Sequence, residues 1–327
     1  MALIHVHNLS KVYRVPEREP GAGLVRNLLH RTYREVEAVR QVSFELAAGE
    51  IVGFIGPNGA GKTTTLKMLS GLLYPTSGEV TVAGAIPWER KPEYLNRISM
   101  VMGNKSQLMW DIPPLDTFRV VGEIYRVPAP ELRQRMDELV ELLDLGDLLT
   151  KPVRNLSLGE RMKCEVAAAL LHRPAVLFLD EPTLGLDVSM QRRLRGFIAE
   201  YNRRSGATII LTSHYMADVV ELCSRLIVIH QGKLIYDGGL QGLVERLAPF
   251  KLIRLTVDSE RLNGDLKLPE GVELTERQDG NLTVRARRTD APAATAQLLA
   301  TLPVIDLAVE EPPIEAVIDQ IYQEGGV

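Results

Sequence analysis

The chain has 327 residues, enough for one large domain and a smaller one, and its 45% hydrophobic and 24% charged residues are typical of soluble globular proteins. No apolar run approaches the roughly 18 residues of a transmembrane helix, and the N-terminus lacks the features of a secretory signal. A net charge of −4 gives no reason to expect nucleic-acid binding, and two cysteines are too few for a disulfide framework, which favours a reducing compartment.

Two half-buried strands are predicted near the N-terminus. Residues 3–9 and 38–46 alternate apolar and polar side chains, as such strands do. Residues 16–36 lie between them and are predicted to form a long loop that carries one short amphipathic surface helix at residues 24–29. The alternative interpretation of this insertion is a contact with a membrane or a membrane partner.

The next stretch is a phosphate-binding loop, because residues 56–63 fit the pattern G-x-x-x-x-G-K-[ST]. The apolar run 51–55 before it predicts a buried strand, and the residues after it have helical spacing. In this arrangement the loop amides and the helix N-terminus surround phosphate groups. Lys62 would reach the β and γ phosphates, and the Thr63 hydroxyl would bind Mg²⁺. The predicted nucleotide site comprises Gly56, Pro57, Asn58, Gly59, Ala60, Gly61, Lys62, Thr63 and Thr64.

The middle of the chain predicts an α/β fold. Residues 78–84 and 100–102 are predicted strands, and residues 115–149 have a helical pattern. Beyond residue 150 strands and helices alternate, which indicates a largely parallel sheet with its ligand at the carboxyl ends of the strands. The predicted strands are 175–179, 208–212, 225–230 and 232–238, and the predicted helices are 188–204 and 215–222.

The last 80 or so residues have a different character. Residues 251–257 and 281–285 alternate as antiparallel strands do, and helices are predicted at 291–301 and 313–322 around a strand at 304–309. The sequence therefore predicts a small α+β domain, and no catalytic constellation is found in it.

Polar residues at two strand ends complete the predicted site. Asp180 follows an apolar strand and can hold Mg²⁺ opposite Thr63. Glu181 comes next, where a carboxylate can orient or deprotonate a water molecule at the γ phosphate. His214 follows another strand, from which it can donate to a γ-phosphate oxygen. The phosphate loop alone would leave kinase, GTPase and ATPase open.

Two further stretches have the composition of helix starts. Ser157 and Glu160 have the spacing of a capping box, and a capped helix start is also an anion site. Residues 185–187 form a loop that follows Glu181 and leads into the next predicted helix.

Taken in order, these stretches resemble the ATP-binding subunits of ABC transporters over residues 1 to about 245. Residues 176–181 are similar to the Walker B strand with its catalytic glutamate, 156–160 to the signature sequence, 212–214 to the switch histidine and 185–187 to the D-loop. The resemblance implies an ABC-type phosphate-loop NTPase fold, with a mostly parallel core sheet, an antiparallel β subdomain and a helical subdomain. The implied domains are 1–245, with the helical subdomain at about 104–160, and an accessory α+β domain at 246–327.

The resemblance also implies hydrolysis of ATP with Mg²⁺, assisted by Glu181, His214 and Lys62. It adds four residues to the nucleotide site: Ser157, Gly159, Glu160 and Asp187. Within the signature, Leu158 and Glu160 stand where the family usually has Gly and Gln, whereas Ser157 and Gly159 are kept.

Two positions of the implied site have rival candidates. Asn104 aligns with the family's loop glutamine, a ligand of Mg²⁺ or the attacking water, and Gln107 is the alternative. Tyr13 matches the aromatic residue that stacks on adenine, and Tyr33 is its rival because the 16–36 insertion blurs the alignment.

The family's partners complete the expectation. The resemblance implies a head-to-tail dimer of two ATP-binding subunits, taken to be a homodimer, and an integral membrane permease contacted by residues 104–155, above all 108–113. The subunit would lie at the cytoplasmic face of the membrane. The 16–36 insertion and residues 103–108 indicate the export-type branch, encoded apart from its permease.

The rival functions have weaker support. An ABC-type ATPase that acts on nucleic acid or the ribosome usually has two cassettes, long coiled coils or zinc-binding cysteines, and none is found here. A phosphate-loop kinase would need an acceptor site and leaves residues 156–160 and 185–187 unexplained.

Overall fold

The computed structural model describes residues 2–17, 32–103, 105–247, 249–258, 268–278, 280–314 and 316–318. The chain divides into two compact units, Met1–Asp237 and Gly238–Val327. The sequence predicts the boundary at about residue 245, a few residues further along the chain.

The regular elements of these residues are numbered in chain order. The strands are β1 (Ala2–Glu17), β2 (Thr32–Ala47), β3 (Ile51–Ile55), β4 (Ser77–Val82), β5 (Ile98–Met102), β6 (Val176–Asp180), β7 (Thr208–Thr212), β8 (Arg225–His230), β9 (Lys233–Gly239), β10 (Phe250–Val257), β11 (Val272–Gln278), β12 (Asn281–Arg287) and β13 (Val304–Glu310). The helices are α1 (Lys62–Leu69), α2 (Pro92–Leu95), α3 (Pro114–Ile124), α4 (Ala129–Leu143), α5 (Leu158–Leu170), α6 (Val188–Ser205), α7 (Met216–Leu222), α8 (Leu240–Leu247) and α9 (Ala291–Thr301).

The predicted core sheet is confirmed as six strands in the order β5-β6-β7-β3-β8-β9. The four pairings β5–β6, β6–β7, β7–β3 and β3–β8 are parallel. Every residue of β6 and β7 is buried, which explains why these strands are continuous apolar runs in the sequence. Because β3, β6 and β7 are neighbours, their carboxyl ends bring residues 56, 180 and 213 to one edge of the sheet.

The antiparallel sheet has the order β2-β1-β4, and its first two strands are longer than the sequence predicts. The pairing of β1 with β2 runs from Ala2 opposite Ala47 to Glu17 opposite Thr32. The prediction of a loop over 16–36 is therefore wrong at both ends, because residues 16–17 and 32–36 are strand. Residues 18–31, including the helix predicted at 24–29, lie outside the described residues.

The helical pattern predicted at 115–149 is divided into α3 and α4. Between them, Arg126 has a left-handed backbone with φ of 53°, and Pro128 precedes the first turn of α4. Asp144, with φ of 52°, ends α4. A left-handed residue cannot continue a right-handed helix, so each of these positions interrupts the helical run.

The second unit has its own four-stranded antiparallel sheet, in the order β11-β12-β10-β13. Its apolar core joins the sheet to α9 through buried residues that include Ile253, Leu255, Val284 and Leu298. The sequence does not predict β11 or α8. Of the helix predicted at 313–322, residues 314 and 316–318 are helical and residue 313 is not. Residues 315 and 319–322 lie outside the described residues. Within the described ranges, none of the helices is long and apolar enough to span a bilayer.

Candidate nucleotide site

Two glycines shape the loop between β3 and α1. A Cβ atom at Gly56 would lie 2.2 Å from the carbonyl oxygen of Ile229 on β8. At Gly61, which has φ of 109°, a Cβ atom would lie 2.4 Å from the carbonyl oxygen of Ala38 on β2. No side chain fits at either position, and the loop therefore stays close to the sheet, with the N-terminus of α1 beside it.

The loop borders a cavity of about 410 Å³. Its walls are formed by Ala38, Pro57, Asn58, Gly59, Ala60, Gly61, Lys62, Thr63, Thr64, Glu181, Leu184 and His214. The structure thus brings residues 57–64 together with the two residues predicted at the ends of β6 and β7. Ala38 and Leu184 were not predicted.

Lys62 supplies a buried cation at the cavity wall. Its Nζ donates to the carbonyl oxygens of Gly56 at 2.6 Å and Pro57 at 3.2 Å. Burial lowers the pKa of Lys62, while the charges of Glu181 and Asp180 act to raise it. An ammonium held among backbone carbonyls at the start of a helix is suited to an anionic phosphate group.

Asp180 lies beside the phosphate loop and forms hydrogen bonds with two threonines. The Thr63 hydroxyl donates to its carboxylate at 2.9 and 3.1 Å, and the Thr212 hydroxyl donates to Oδ1 at 2.7 Å. A hydroxyl and a carboxylate next to a phosphate cradle fit Mg²⁺, which commonly takes one or two protein ligands together with phosphate and water oxygens. Among the residues that the structure describes, no three or more His, Cys, Asp or Glu side chains are grouped so that they could hold a metal ion.

Glu181 follows Asp180 in a strained backbone conformation, with φ of 57°. Its amide donates to both the carbonyl and the hydroxyl oxygen of Thr212, at 3.1 and 3.0 Å, which holds this conformation in place. Left-handed non-glycine residues are costly and occur preferentially at functional sites.

His214 holds the Glu181 carboxylate on one side. The His214 amide donates to Oε2 at 3.1 Å, and its Nε2 lies 3.3 Å from Oε1. Burial raises the pKa of Glu181, while the charges of His214 and Lys62 oppose that rise. A carboxylate with a raised pKa in a cavity lined by the phosphate-binding loop can accept a proton from water.

The loop after β5 carries Asn104 and Gln107, the two candidates for the predicted ligand of Mg²⁺ or the attacking water. A Cβ atom at Gly103 would lie 2.3 Å from the carbonyl oxygen of Glu181, so this loop passes close to the site. Asn104 lies outside the described residues. The Gln107 side chain donates to the Met100 carbonyl at 2.6 Å and does not line the cavity. The structure therefore does not bring this alternative candidate to the site.

The candidate adenine-stacking tyrosines lie on the β1–β2 hairpin. Both are exposed, and neither lines the cavity. The Lys11 Nζ lies 5.4 Å from the centre of the Tyr13 ring. The stacking role of Tyr13, with Tyr33 as its rival, stays a prediction.

The capping box predicted from Ser157 and Glu160 is confirmed at the start of α5. The Ser157 hydroxyl accepts from the Glu160 amide at 3.3 Å, and the Glu160 carboxylate accepts from the Ser157 amide at 2.8 Å. Hydrogen bonds from the Ser157 backbone and side chain lower the pKa of Glu160. Neither residue lines the cavity.

Asp187 caps the start of α6 in a similar way. Its carboxylate accepts from the Met190 amide at 2.9 Å and from the Ser189 hydroxyl at 2.7 Å, and these bonds lower its pKa. A Cβ atom at Gly185 would lie 2.8 Å from the Leu158 side chain, and one at Gly159 would lie 3.1 Å from Met190. The two capped helix starts are thus neighbours, and neither Ser157 nor Asp187 lines the phosphate-loop cavity.

Models of two protein families match the chain. The ABC transporter family matches residues 39–184. The C-terminal domain of EvrA-like ABC transporters matches residues 249–310.

Individual proteins extend this likeness. The ABC transporter ATP-binding protein NatA of Bacillus subtilis (strain 168) is 37% identical over 210 residues, which cover 64% of this chain and 85% of NatA. The linearmycin resistance ATP-binding protein LnrL of the same strain is 33% identical over 229 residues, 70% of this chain and 73% of LnrL. The Nod factor export ATP-binding protein I of Ralstonia nicotianae is 37% identical over 235 residues, 68% of this chain and 70% of that protein.

Solved structures support the fold. One described as the ATP-binding subunit of an ABC transporter has a TM-score of 0.62 and 24% identity over 75% of this chain and 92% of its own. Another, a dimeric ATP-binding cassette described in a post-hydrolysis state with ADP and Pi, has a TM-score of 0.61 and 22% identity over 72% of this chain and 98% of its own.

Proposed function

The chain belongs to the family of ABC transporter ATP-binding proteins, and from this membership we propose that it works as an ATP-driven dimer attached to a separate membrane permease. It is an ATP-hydrolysing subunit that powers a transporter and uses ATP with Mg²⁺. The dimer, the separate permease, the direction of transport and the role of each residue are parts of the proposal.

The observation that carries the dimer is the separation of the two halves of the nucleotide site. The cavity offers Lys62, Glu181 and His214 to one side of a triphosphate, whereas Ser157, at the start of α5, does not line it. We propose that residues 157–160 and Asp187 of one subunit complete the site of a second copy. Capped helix starts bind anions, so Ser157 and Gly159 would meet the γ phosphate of the partner's ATP.

The hydrolytic step then follows from the chain's own residues. The Lys62 ammonium and the loop amides would hold the β and γ phosphates, and Thr63 and Asp180 would hold Mg²⁺, which would neutralise negative charge on the phosphate oxygens. Glu181 accepts a proton from the attacking water. His214 keeps the Glu181 carboxylate in place, and its imidazole can donate to the γ-phosphate oxygens. Water adds to the γ phosphorus as the bond to ADP breaks, giving ADP and Pi.

We further propose that the transporter is an exporter and that the chain lies at the cytoplasmic face of the membrane. The Nod factor export protein supports the direction by its name, together with the resemblance of the insertion and of residues 103–108 to the export branch. For the permease contact we propose residues 108–113, because Met109 and Trp110 are exposed there although both are apolar. Similarly, residues 1–245 would act as the ATP-binding domain and 246–327 as an accessory domain.

The Glu181→Gln variant tests the central step. The amide keeps the shape of the side chain but cannot take a proton, so ATP should bind normally while turnover falls by about 10²-fold or more. An ATP-bound dimer should then accumulate. Light scattering should give the mass of a dimer with Mg²⁺ and ATP, and the mass of a monomer with ADP.

A matched control separates binding from chemistry. Lys62→Met removes the phosphate-binding charge, and we expect neither ATP binding nor dimer from it. If Glu181→Gln hydrolyses ATP at the normal rate, Glu181 is not the base. If it loses turnover but stays monomeric with ATP, the proposed dimer is wrong.

A further inference from the structure

Asp218 is a buried carboxylate that the proposed mechanism does not use. It lies in the first turn of α7 and is fully buried. Its Oδ1 accepts from Arg195 Nη1 at 2.9 Å, and its Oδ2 accepts from the hydroxyls of Thr183 at 2.5 Å and Ser213 at 2.6 Å. Burying an ionised group is costly unless it is paired, and here a cation and two hydroxyl donors satisfy it.

The contact with Ser213 fixes the segment that carries His214. Ser213 directly precedes the histidine, and its hydroxyl also accepts from the Tyr215 amide at 3.0 Å. The residues on both sides of His214 are therefore tied to Asp218, directly or through Ser213. This arrangement fixes the backbone whose His214 amide holds the Glu181 carboxylate.

The other contacts fix the loop that joins Glu181 to Asp187. Thr183 lies midway along this loop. Arg195 is a buried residue of α6, the helix that Asp187 caps, so it ties that helix to α7 through Asp218. From α6, the Gln191 side chain also donates to the carbonyl of Leu186 in this loop, at 3.2 Å. Asp218 is thus the common partner of the two segments that meet at Glu181.

We infer that Asp218 is a positioning residue for ATP hydrolysis. It holds the His214 backbone and the 183–187 loop in their positions around Glu181. The inference rests on the proposed roles of Glu181 and His214. Asp218 does not line the nucleotide cavity and reaches the reacting atoms only through these neighbours. Loss of its charge should affect the hydrolytic step far more than the binding of ATP to the phosphate loop.

The Asp218→Asn variant tests this division. The amide has the same shape but cannot accept from all three donors, so we expect kcat to fall by about tenfold, since small misplacements of catalytic groups are costly. KM for ATP should stay within about twofold, because the phosphate loop is unchanged. Circular dichroism and a thermal melt check that the variant folds.

A double-mutant cycle distinguishes positioning from a general loss of stability. If Asp218 acts through His214, adding Asp218→Asn to His214→Ala should cost little further activity, because the group being positioned is already gone. A merely structural role would give effects that multiply. Multiplying effects would overturn the inference.

A matched pair at Thr183 keeps the test decisive if Asp218→Asn does not fold. Thr183→Val keeps the shape and removes the hydroxyl donor, and we expect a fall in kcat of several-fold. Thr183→Ser keeps the hydroxyl and should restore kcat to near the wild-type value. Equal activity of Val and Ser variants, or equal loss in both, would contradict the inference.

Glu221→Gln serves as the control for the ion pair. Glu221 also accepts from Arg195, at 2.6 Å, but its side chain is half exposed, and this hydrogen bond involves neither loop. We expect unchanged kcat from this variant, and a loss equal to that of Asp218→Asn would assign the effect to Arg195 alone. A wrong assignment of Glu181 as the base would be recognised independently of the Asp218 variants. In that case Glu181→Gln would hydrolyse ATP at the normal rate.

Discussion

At the scale of single residues, the site depends on the unusual environment of Glu181. The strained backbone, the contacts with Thr212 and the pairing with His214 hold its carboxylate in a partly buried place. Burial disfavours the charged form and so raises the pKa. The same burial makes the carboxylate a better proton acceptor once it is ionised, which suits a residue that takes a proton from water.

This environment predicts the pH dependence of hydrolysis. Glu181 must be ionised to act as the base, and its pKa is raised above the ordinary value of 4.5. As the pH falls through the raised pKa, the carboxylate gains a proton, so kcat/KM should decline at a pH above 4.5.

A pH profile of kcat/KM measures this decline, with circular dichroism at each pH to check that the fold persists. The residual hydrolysis by Glu181→Gln should lack this decline, since the amide does not titrate. A decline centred at or below 4.5 in the folded wild-type chain would contradict the prediction.

The residues at the strand ends could be predicted from the sequence because parallel strands place their carboxyl ends at one edge. That rule locates Asp180, Glu181 and His214 with no knowledge of the side-chain contacts. The φ of Glu181 and the burial of Asp218 could not be predicted in this way. Both depend on contacts between segments that are 30 or more residues apart, such as Thr183 with Asp218.

At the scale of elements, the buried strands and the amphipathic helices were predictable, whereas the exposed strands were not. The sequence predicts β7, β8 and α9 with their observed bounds, because a buried run or a clear period marks each of them. Strand β11 has almost no buried residue and many charged ones, so no alternation marks it. The extension of β1 and β2 was missed for the same reason, since residues 13–17 are all exposed.

Substitution of Ser157 tests whether the start of α5 acts only as a helix cap. Asp is as good a cap as Ser, so Ser157→Asp should keep the melting temperature near that of the wild type. Its negative charge would repel the partner's γ phosphate, and ATP-driven dimerisation in the Glu181→Gln background should be lost. Ser157→Ala should cost about 1 kcal/mol of stability through loss of the cap.

Light scattering and thermal melts separate the two roles, with Glu160→Gln as the control. Glutamine also completes a capping box, so this variant should keep both stability and dimerisation. A Ser157→Asp chain that forms the ATP-bound dimer normally would restrict Ser157 to the capping role.

At the scale of the whole molecule, each of the two units has an apolar core of its own. The unit Met1–Asp237 contains the described residues proposed for ATP binding, magnesium binding and hydrolysis. The second unit has a separate apolar core between its sheet and α9. A separate core is what allows an accessory domain to be added to an ATP-binding domain without disturbing the site.

The proposed permease contact predicts a selective loss of partner binding. Trp110 and Met109 are about half exposed, and Arg161 of α5 lies over the Trp110 ring at 5.8 Å. Large exposed apolar side chains commonly anchor protein interfaces, so truncating both should weaken capture of a membrane protein by at least about tenfold. Hydrolysis by the isolated subunit should stay near the wild-type rate, because neither residue lines the nucleotide cavity.

Affinity purification from detergent-solubilised membranes measures this loss, with mass spectrometry of the captured proteins. Leu72→Ala is the matched control, since Leu72 is equally exposed but lies just after α1, away from residues 108–113 in the sequence. We expect one multi-spanning protein to be captured by the wild type and by the Leu72 variant, and to be lost from the Met109 and Trp110 double variant. Capture of ribosomes or DNA in place of any membrane protein would instead support the nucleic-acid alternative, because a transporter subunit has to bind the permease that it drives.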